Sequence, residues 1–486
     1  MTTKQLSGPD AMFLHMELDG FPMLVGGAAI YDPSTSPDGV VRFTDILAMF
    51  ESRLDRSPIF RRKLAEVPFN LDQPYWVDDP DFDLGYHLRH IGLPRPGDWR
   101  QFCNQIAELH SRPLDFGRPL WEAYIIEGLD NVDRFPPACF ALYLKVHHCA
   151  IDGASGQTFI GAFNDVSPIP ETAHPPRPWK PGKAPSNISM LTRAYLNGLR
   201  KPGQMLGMGK SMLASRKRVK EGLEAGAFQA LGKIPTTRFN GELSAKRVVD
   251  ATKFDFDSLR RIKNSVAGAT INDVVLTIVG GALRKYLQEK AELPEQSLVT
   301  GCPVNVRDET EKDREGNMIA VMTTSLCTDV ENPMERLQKV HAEALNAKAH
   351  LQAQGARAMV DFSESVPSAL QAMTMKVLAA ARIPEKNVLM NVTVTNVPGS
   401  PVQLYLCGAQ IVDSFGLGPL TPGMGLFHTV NSLVMNNKGT VTLAFISCRD
   451  VMPDPEFYTE CIETSYRELC AACLPRKART AKKKAR

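Results

Sequence analysis

Apolar and aromatic residues crowd residues 138–146, Ala-Cys-Phe-Ala-Leu-Tyr-Leu-Lys-Val, a run that suits a largely buried strand. By the two-residue period Phe140, Leu142, Leu144 and Val146 share one face and His148 continues it, while Tyr143, Lys145 and His147 lie on the other. Residues 43–54 and 101–110 carry helical spacing, and 120–127 reads as a strand. After residue 241 the pattern resumes with a strand over 248–256 and a helix over 258–266. Thr270-Ile271-Asn272-Asp273 then opens an apolar helix through Val274, Leu276, Ile278 and Leu283. Thr270 as N-cap with Asp273 three positions later forms a capping box, which accounts for both polar residues and leaves Asn272 free for another role. Strand-like runs follow at 298–303, 318–327, 388–396, 411–415, 433–435 and 440–448. Strands and helices alternate in both halves, so the fold class is α/β (α+β).

Between the halves the composition changes. Pro168, Pro170, Pro175, Pro176, Pro178, Pro181 and Pro185 rule out a regular element and mark a linker. Residues 188–220 then hold eight basic and no acidic residues, interleaved with Met190, Leu191, Tyr195, Leu199, Leu206 and Leu213. This predicts a basic amphipathic helix, broken near Pro202-Gly203, either lying in a lipid interface or packed as a connector. The expected division is 1–167, a linker and connector over 168–240, 241–475, and a basic disordered tail over 476–486. The net charge is +3 and the tail holds seven basic residues, so the rest of the chain sits at −4. Such a tail is either simply solvated or drawn to anionic headgroups. Hydrophobic residues at 43 % and charged residues at 22 % fit a soluble globular protein. No run reaches the length of a membrane span. The start, Met1-Thr2-Thr3-Lys4-Gln5, has no apolar signal region. The ten cysteines lack paired spacing, and the lone Cys470-Ala-Ala-Cys473 has no second pair, so reduced thiols in the cytoplasm and no metal site are expected. The basic tail lacks interleaved aromatics or a recognised nucleic-acid module, and no nucleic-acid partner is expected.

The chemistry concentrates in His147-His148-Cys149-Ala150-Ile151-Asp152-Gly153. A neutral imidazole takes a proton from an alcohol or thiol near neutral pH. Asp152 is placed to fix the histidine loop through an ion pair or backbone N–H groups, with Arg61 or Arg62 as its suggested partner. Gly153 permits a close approach or a turn that a side chain blocks. Adjacent histidines also occur as satisfied core residues, and an aspartate here also serves as a helix N-cap. The succession of strand, His-His, Asp-Gly and helix favours a functional loop.

This stretch matches the HHxxxDG signature of coenzyme-A-dependent acyltransferases. Leu6-Ser7-Gly8-Pro9-Asp10-Ala11-Met12-Phe13, Pro119-Leu120-Trp121, Asn272-Asp273, Asn305-Val306-Arg307 and Thr395-Asn396-Val397-Pro398-Gly399 further resemble segments of bacterial wax ester synthase/diacylglycerol acyltransferases. The resemblance runs in order over nearly the whole chain. It implies two chloramphenicol-acetyltransferase-like sandwich domains with the active site at their interface. It implies direct transfer of a long-chain acyl group from acyl-CoA, a co-substrate with no further cofactor, to a fatty alcohol or diacylglycerol. His148 would be the general base, His147 a support for the loop, and Asn272 the oxyanion donor, with Asn396 and Ser414 behind it. Gly153, Asn396 and Ser414 are the expected substrate contacts. Trp121 is expected to be packing, and 416–425 a segment able to line a channel. Peripheral contact with the inner membrane face or lipid inclusions is the expected location. A condensation-type domain acting on carrier-bound substrates, and a non-catalytic lipid-body protein, are the alternatives.

Overall fold

Strand β7 (Phe140–His147) sits inside a six-stranded sheet and ends at the histidine pair. The computed structural model describes residues 4–151, 161–170, 178–305, 317, 319–355, 358–435 and 438–474. The first sheet runs β12 (Tyr405–Leu406), β13 (Ala409–Leu417), β2 (Leu24–Asp32), β7, β6 (Trp121–Glu127) and β5 (Leu88–Gly92). The second, also six-stranded, runs β10 (Ile319–Ser325), β9 (Val299–Asn305), β11 (Val392–Val397), β14 (Leu426–Met435), β15 (Lys438–Cys448) and β8 (Arg247–Asp255). A small sheet joins β1 (Lys4–Gln5), β4 (Tyr75–Asp78) and β3 (Arg62–Ala65). The helices are α1 (Gly8–Met16), α2 (Phe43–Arg53), α3 (Leu84–His87), α4 (Trp99–Ser111), α5 (Asn187–Glu224), α6 (Phe256–Lys263), α7 (Ile271–Glu289), α8 (Pro333–Gln354), α9 (Ala358–Ser365), α10 (Ser368–Ala380), α11 (Ile383–Lys386) and α12 (Pro455–Cys473).

Both faces of the first sheet are buried, which explains why its strands read as continuous apolar runs. Trp121, Ala123, Ile125, Phe140, Leu142 and Val146 point into a cluster with Phe50, Phe60 and Phe163. Tyr124, Ile126, Ala141 and Tyr143 point the other way, into a cluster shared with Phe102 and Ile106 of α4, Val275 and Ile278 of α7, and Leu443 of β15. One core therefore runs from the first sheet into the second. Trp121 is fully buried, donates from Nε1 to the Phe60 carbonyl (3.1 Å) and stacks on His87. It is packing, as expected.

Helix α7 begins as its sequence predicts. Thr270 Oγ1 accepts from Asp273 N–H, and Asp273 Oδ2 accepts from Thr270 N–H at 2.8 Å. Gly280 and Gly281 on the same helix permit close neighbours. A Cβ would stand 2.2 Å from the Leu326 carbonyl oxygen at the first and 2.2 Å from Ser465 Oγ of α12 at the second.

Three features depart from the linear reading. The hairpin β12–β13, placed by sequence in the 241–475 segment, completes the first sheet, with Leu417 opposite Gly26 and Gln410 opposite Asp32. Strand pairing is decided by which edge is open in space, and no periodicity encodes that. The helix expected to break near Pro202-Gly203 is one unbroken α5 with Pro202 inside it. Finally, β7 stops at His147, and His148–Ala150 form a 3-10 turn, so His148 does not continue the strand face. Residues 475–486, which carry the basic tail, lie outside the described residues.

Candidate active site

The end of β7 is pinned by backbone hydrogen bonds on both sides. His147 N–H donates to the Leu120 carbonyl (3.0 Å) and His148 N–H to the Met23 carbonyl (2.8 Å). His147 is fully buried. Its Nδ1 accepts from the Cys149 N–H at 3.1 Å, so the ring proton sits on Nε2, which donates to Glu17 Oε2 at 2.9 Å. The same carboxylate oxygen accepts from Met23 N–H at 2.8 Å. Both nitrogens of His147 are thus committed, and it has no lone pair left for a substrate.

His148 has a different environment. Its ring stacks on Phe13 of α1, with centroids 3.7 Å apart and planes 7° from parallel. Burial pulls its pKa down to about 4, the neighbouring His147 pulls the same way, and its own backbone carbonyl opposes them. The imidazole is neutral at ordinary pH. Other buried histidines are also held neutral by burial: His110 is pulled down to about 3 and His428 to about 4. A lowered pKa alone therefore singles out nothing. The partners do: His110 uses Nδ1 with Tyr143 Oη (2.7 Å) and Nε2 with the Gly418 carbonyl (3.3 Å). His428 likewise engages the Thr393 carbonyl and Tyr458 Oη. His148 Nδ1, in contrast, is buried and makes no hydrogen bond to any other described residue.

The turn that carries His148 is held from the second half of the chain. Asn317 Nδ2 donates to the carbonyls of His148 (3.0 Å) and Ile151 (3.2 Å) and to Asp10 Oδ1 (2.8 Å). Asn317 N–H reaches the same Asp10 oxygen at 2.8 Å, and Ser7 Oγ donates to Asp10 Oδ2 at 2.6 Å. Asp10 lies three residues before Phe13 on α1, so one buried cluster sets both the histidine turn and the ring stacked on it.

The remaining candidates are spread out. Asp152 and Gly153 lie outside the described residues. Arg61 Nη1 contacts Asp55 Oδ1 at 2.6 Å and its guanidinium lies over Trp179, while Arg62 Nε reaches Asp78 Oδ1 at 3.1 Å. Asn272 is half-buried in the first turn of α7, next to Asp273, whose Oδ2 also meets His341 Nδ1 at 3.0 Å. Asn396 is exposed on β11 beside Val430, and Ser414 is half-buried on β13 opposite Ala29. Among the described residues no hydrogen bond joins Asn272, Asn396 or Ser414 to either histidine. Asp10, Phe13, Glu17 and Asn317 had no role assigned from sequence. The first two lie in the quoted Leu6–Phe13 run, and Ser7-x-x-Asp10 has helix-cap spacing. Nothing local marks Asn317.

Among the described residues no group of three or more His, Cys, Asp or Glu side chains is arranged to hold a metal ion, and no helix is long and apolar enough to cross a membrane. All ten cysteines are free.

Residues 6–275 match the model of the wax ester synthase/diacylglycerol acyltransferase catalytic domain, and residues 315–470 match the C-terminal domain of the same proteins. The chain belongs to the wax ester synthase/diacylglycerol acyltransferase family. It is an acyltransferase. A putative diacylglycerol O-acyltransferase of Mycobacterium tuberculosis is 33 % identical over 480 residues, covering 95 % of this chain and 91 % of the relative. A second putative diacylglycerol O-acyltransferase of that organism is 32 % identical, covering 96 % of this chain and 99 % of its own. The wax ester synthase/diacylglycerol acyltransferase of Marinobacter aquaeolei VT8 superposes with a TM-score of 0.66 at 25 % identity, over 96 % of this chain and 98 % of the other. The starter condensation domain of rhizomide synthetase, at 14 % identity, a TM-score of 0.54 and coverage of 98 % and 95 %, shares the fold. In family terms Asp10, Phe13 and the histidines come from the catalytic domain and Asn317 from the C-terminal one, so the candidate site is built from both.

Asn317→Ala removes the side-chain donor shared by the His148 and Ile151 carbonyls and leaves Asp10 Oδ1 with the backbone N–H of residue 317. It is expected to lower stability by about 1–3 kcal/mol in urea denaturation. Turnover should fall with it, because the turn carrying His148 loses its tie to Asp10.

Proposed function

We propose that this acyltransferase moves a long-chain acyl group from acyl-CoA to the hydroxyl of a fatty alcohol or a diacylglycerol, giving a wax ester or a triacylglycerol. The observation that carries the reading is the neutral His148 imidazole, stacked on Phe13 and, unlike His147, His110 and His428, held by no hydrogen bond to another described residue. His148 takes the hydroxyl proton as the alcohol oxygen attacks the thioester carbonyl. The tetrahedral intermediate then expels the coenzyme A thiolate, which recovers the proton from the imidazolium, leaving free coenzyme A and the ester. His147, committed to Glu17 and Cys149, positions the loop. Asp152 orients it and Gly153 gives room for substrate. Asn272 is the donor assigned to the developing oxyanion, since its neighbour Asp273 is spent on the capping box and His341. Asn396 and Ser414 are assigned to substrate contact. The enzyme works at a lipid surface, which supplies its acceptor.

The test is thiol release from palmitoyl-CoA with and without hexadecanol or a diacylglycerol. Acceptor-dependent release should fall by about 10²–10⁴-fold in His148→Ala. Undiminished release in that variant removes His148 as the base. Folded wild-type protein that releases no thiol with either acceptor defeats the substrate assignment. In the same assay Asn272→Ala should lower kcat by about 10²-fold with acyl-CoA binding unchanged.

The pH profile gives an independent check. Because burial lowers the His148 pKa, the reactive neutral form persists as pH falls and is lost only near the shifted value. The acid limb of kcat/KM should therefore fall at about pH 4. A limb near the ordinary histidine pKa of about 6.5 would show a solvated or different base.

A further inference from the structure

Helix α5 runs for 38 residues and buries only Met190 and Ala194. Its inner side is easily traced. Met190 and Ala194 pack with Val67, Tyr75 and Val77. Asn197 Nδ2 donates to Asp72 (2.7 Å), Lys201 to the Glu364 carbonyl, and Ser215 to the Gln354 carbonyl. At about 100° per residue, Ile188, Tyr195, Leu199, Leu206 and Leu213 fall within about 20° of a single line on the opposite side. Each of the five is 63–78 % exposed. The row is about 37 Å long at the helical rise. A straight apolar edge on the solvent side of a helix is the reverse of what a connector needs.

Charge flanks the edge. Lys210 and Arg216 are exposed on either side of it, about 40° and 80° from the line, and exposed Lys217 continues the row toward the carboxyl end, while Arg193 turns inward over Tyr75. The acidic residues of α5 are Glu221 and Glu224, at its far end and each near a lysine one turn back. Gly198, Gly203, Gly207 and Gly209 have nothing within 4 Å of a built Cβ, so the middle of the helix stands open.

We propose that this row seats the enzyme in the headgroup interface of an anionic phospholipid bilayer, with the axis of α5 parallel to the surface. The proposal deepens the lipid-surface reading above and rests on it. The apolar row enters the acyl boundary while the flanking cations meet lipid phosphates. A second copy of the chain fits the row poorly. In coiled-coil spacing Leu199, Leu206 and Leu213 occupy one seam position, but the other runs Ile188, Tyr195, Pro202, Gly209, Arg216. Two such helices would also bring like-charged flanks together. Docking through α5 is mechanically connected to the site: α5 packs on α9, α9 packs on α1, and α1 carries Phe13. Helix α10, also against α1, exposes Leu370, Met373 and Val377.

The experiment compares the full-length wild type with a triple variant, Leu199→Glu, Leu206→Glu and Leu213→Glu. Each is co-sedimented with phosphatidylglycerol/phosphatidylcholine vesicles and with phosphatidylcholine alone. The variant should lose at least about tenfold in bound-to-free ratio. Wild-type binding should weaken when phosphatidylglycerol is omitted or salt is raised. Thermal midpoint and thiol release with detergent-dispersed substrates should stay at wild-type values. If the glutamates impair folding, the three serine substitutions replace them. Equal vesicle binding by a folded variant overturns the proposal. So does a wild type that transfers acyl groups to dispersed alcohol but ignores anionic vesicles, an outcome that leaves the functional reading standing. A wild-type dimer dissolved by the variant would make the row a self-association seam and overturn it as well. A wild type that binds vesicles through the row yet transfers no acyl group defeats the functional reading alone.

Discussion

The carboxylate of Asp10 is the junction on which the candidate site depends. It receives the Ser7 hydroxyl from its own helix cap and two donors of Asn317 from the other half of the chain. Asn317 in turn holds the His148 and Ile151 carbonyls. A buried charge is tolerable only when its lone pairs are filled, and here they are filled by groups that also hold the histidine turn. The helix carrying Phe13, the turn carrying His148 and the C-terminal domain are tied together at this one carboxylate. The strand beneath is stiffened in the same manner: Lys145, fully buried two residues before His147, donates to the Leu109 and Arg112 carbonyls and lies 3.2 Å from Glu122. Burial pushes its ammonium pKa down while Glu122 holds it up.

The two histidines illustrate how position converts identical side chains into different tools. Both sit at one strand end, His147 fully buried and His148 half-buried. His147 finds an acceptor and a donor, so its tautomer is fixed and its chemistry is finished. His148 is turned by the 3-10 segment against a hydrocarbon ring that can offer neither, and its basicity stays available. The shift to about pKa 4 weakens it as a base, but the neutral fraction is complete at physiological pH.

Much of this was legible in the chain. The strand leading to the histidines, the capping box of Thr270 and Asp273, and the packing role of Trp121 follow from local periodicity and cap chemistry. The family itself follows from motifs set in order. The illegible parts are those that require distant segments to meet. Asn317 has no neighbouring signal because its partners are Asp10 and two carbonyl oxygens, hundreds and more than a hundred residues away. Glu17 meets His147 only after β2 and β7 pair. The unbroken α5 carries a proline and several glycines in its interior, which shows propensity to be a weak guide to where a helix stops. The second half of β14, with Leu433–Met435, was visible while its start was not, since a strand buried between two others shows no alternation.

The β12–β13 hairpin sets a constraint of timing. Strand β2 is flanked by β7 on one side and by β13 on the other. During synthesis residues 24–147 emerge early, and β2 then stands as a bare edge with glycine at 26 and 27. Its true neighbour does not leave the ribosome until residues 409–417 are made. Throughout that interval an open, apolar strand is available to any passing sheet edge. The amino-terminal half is therefore not a self-sufficient folding unit. Its sheet is complete only when the far end of the chain arrives.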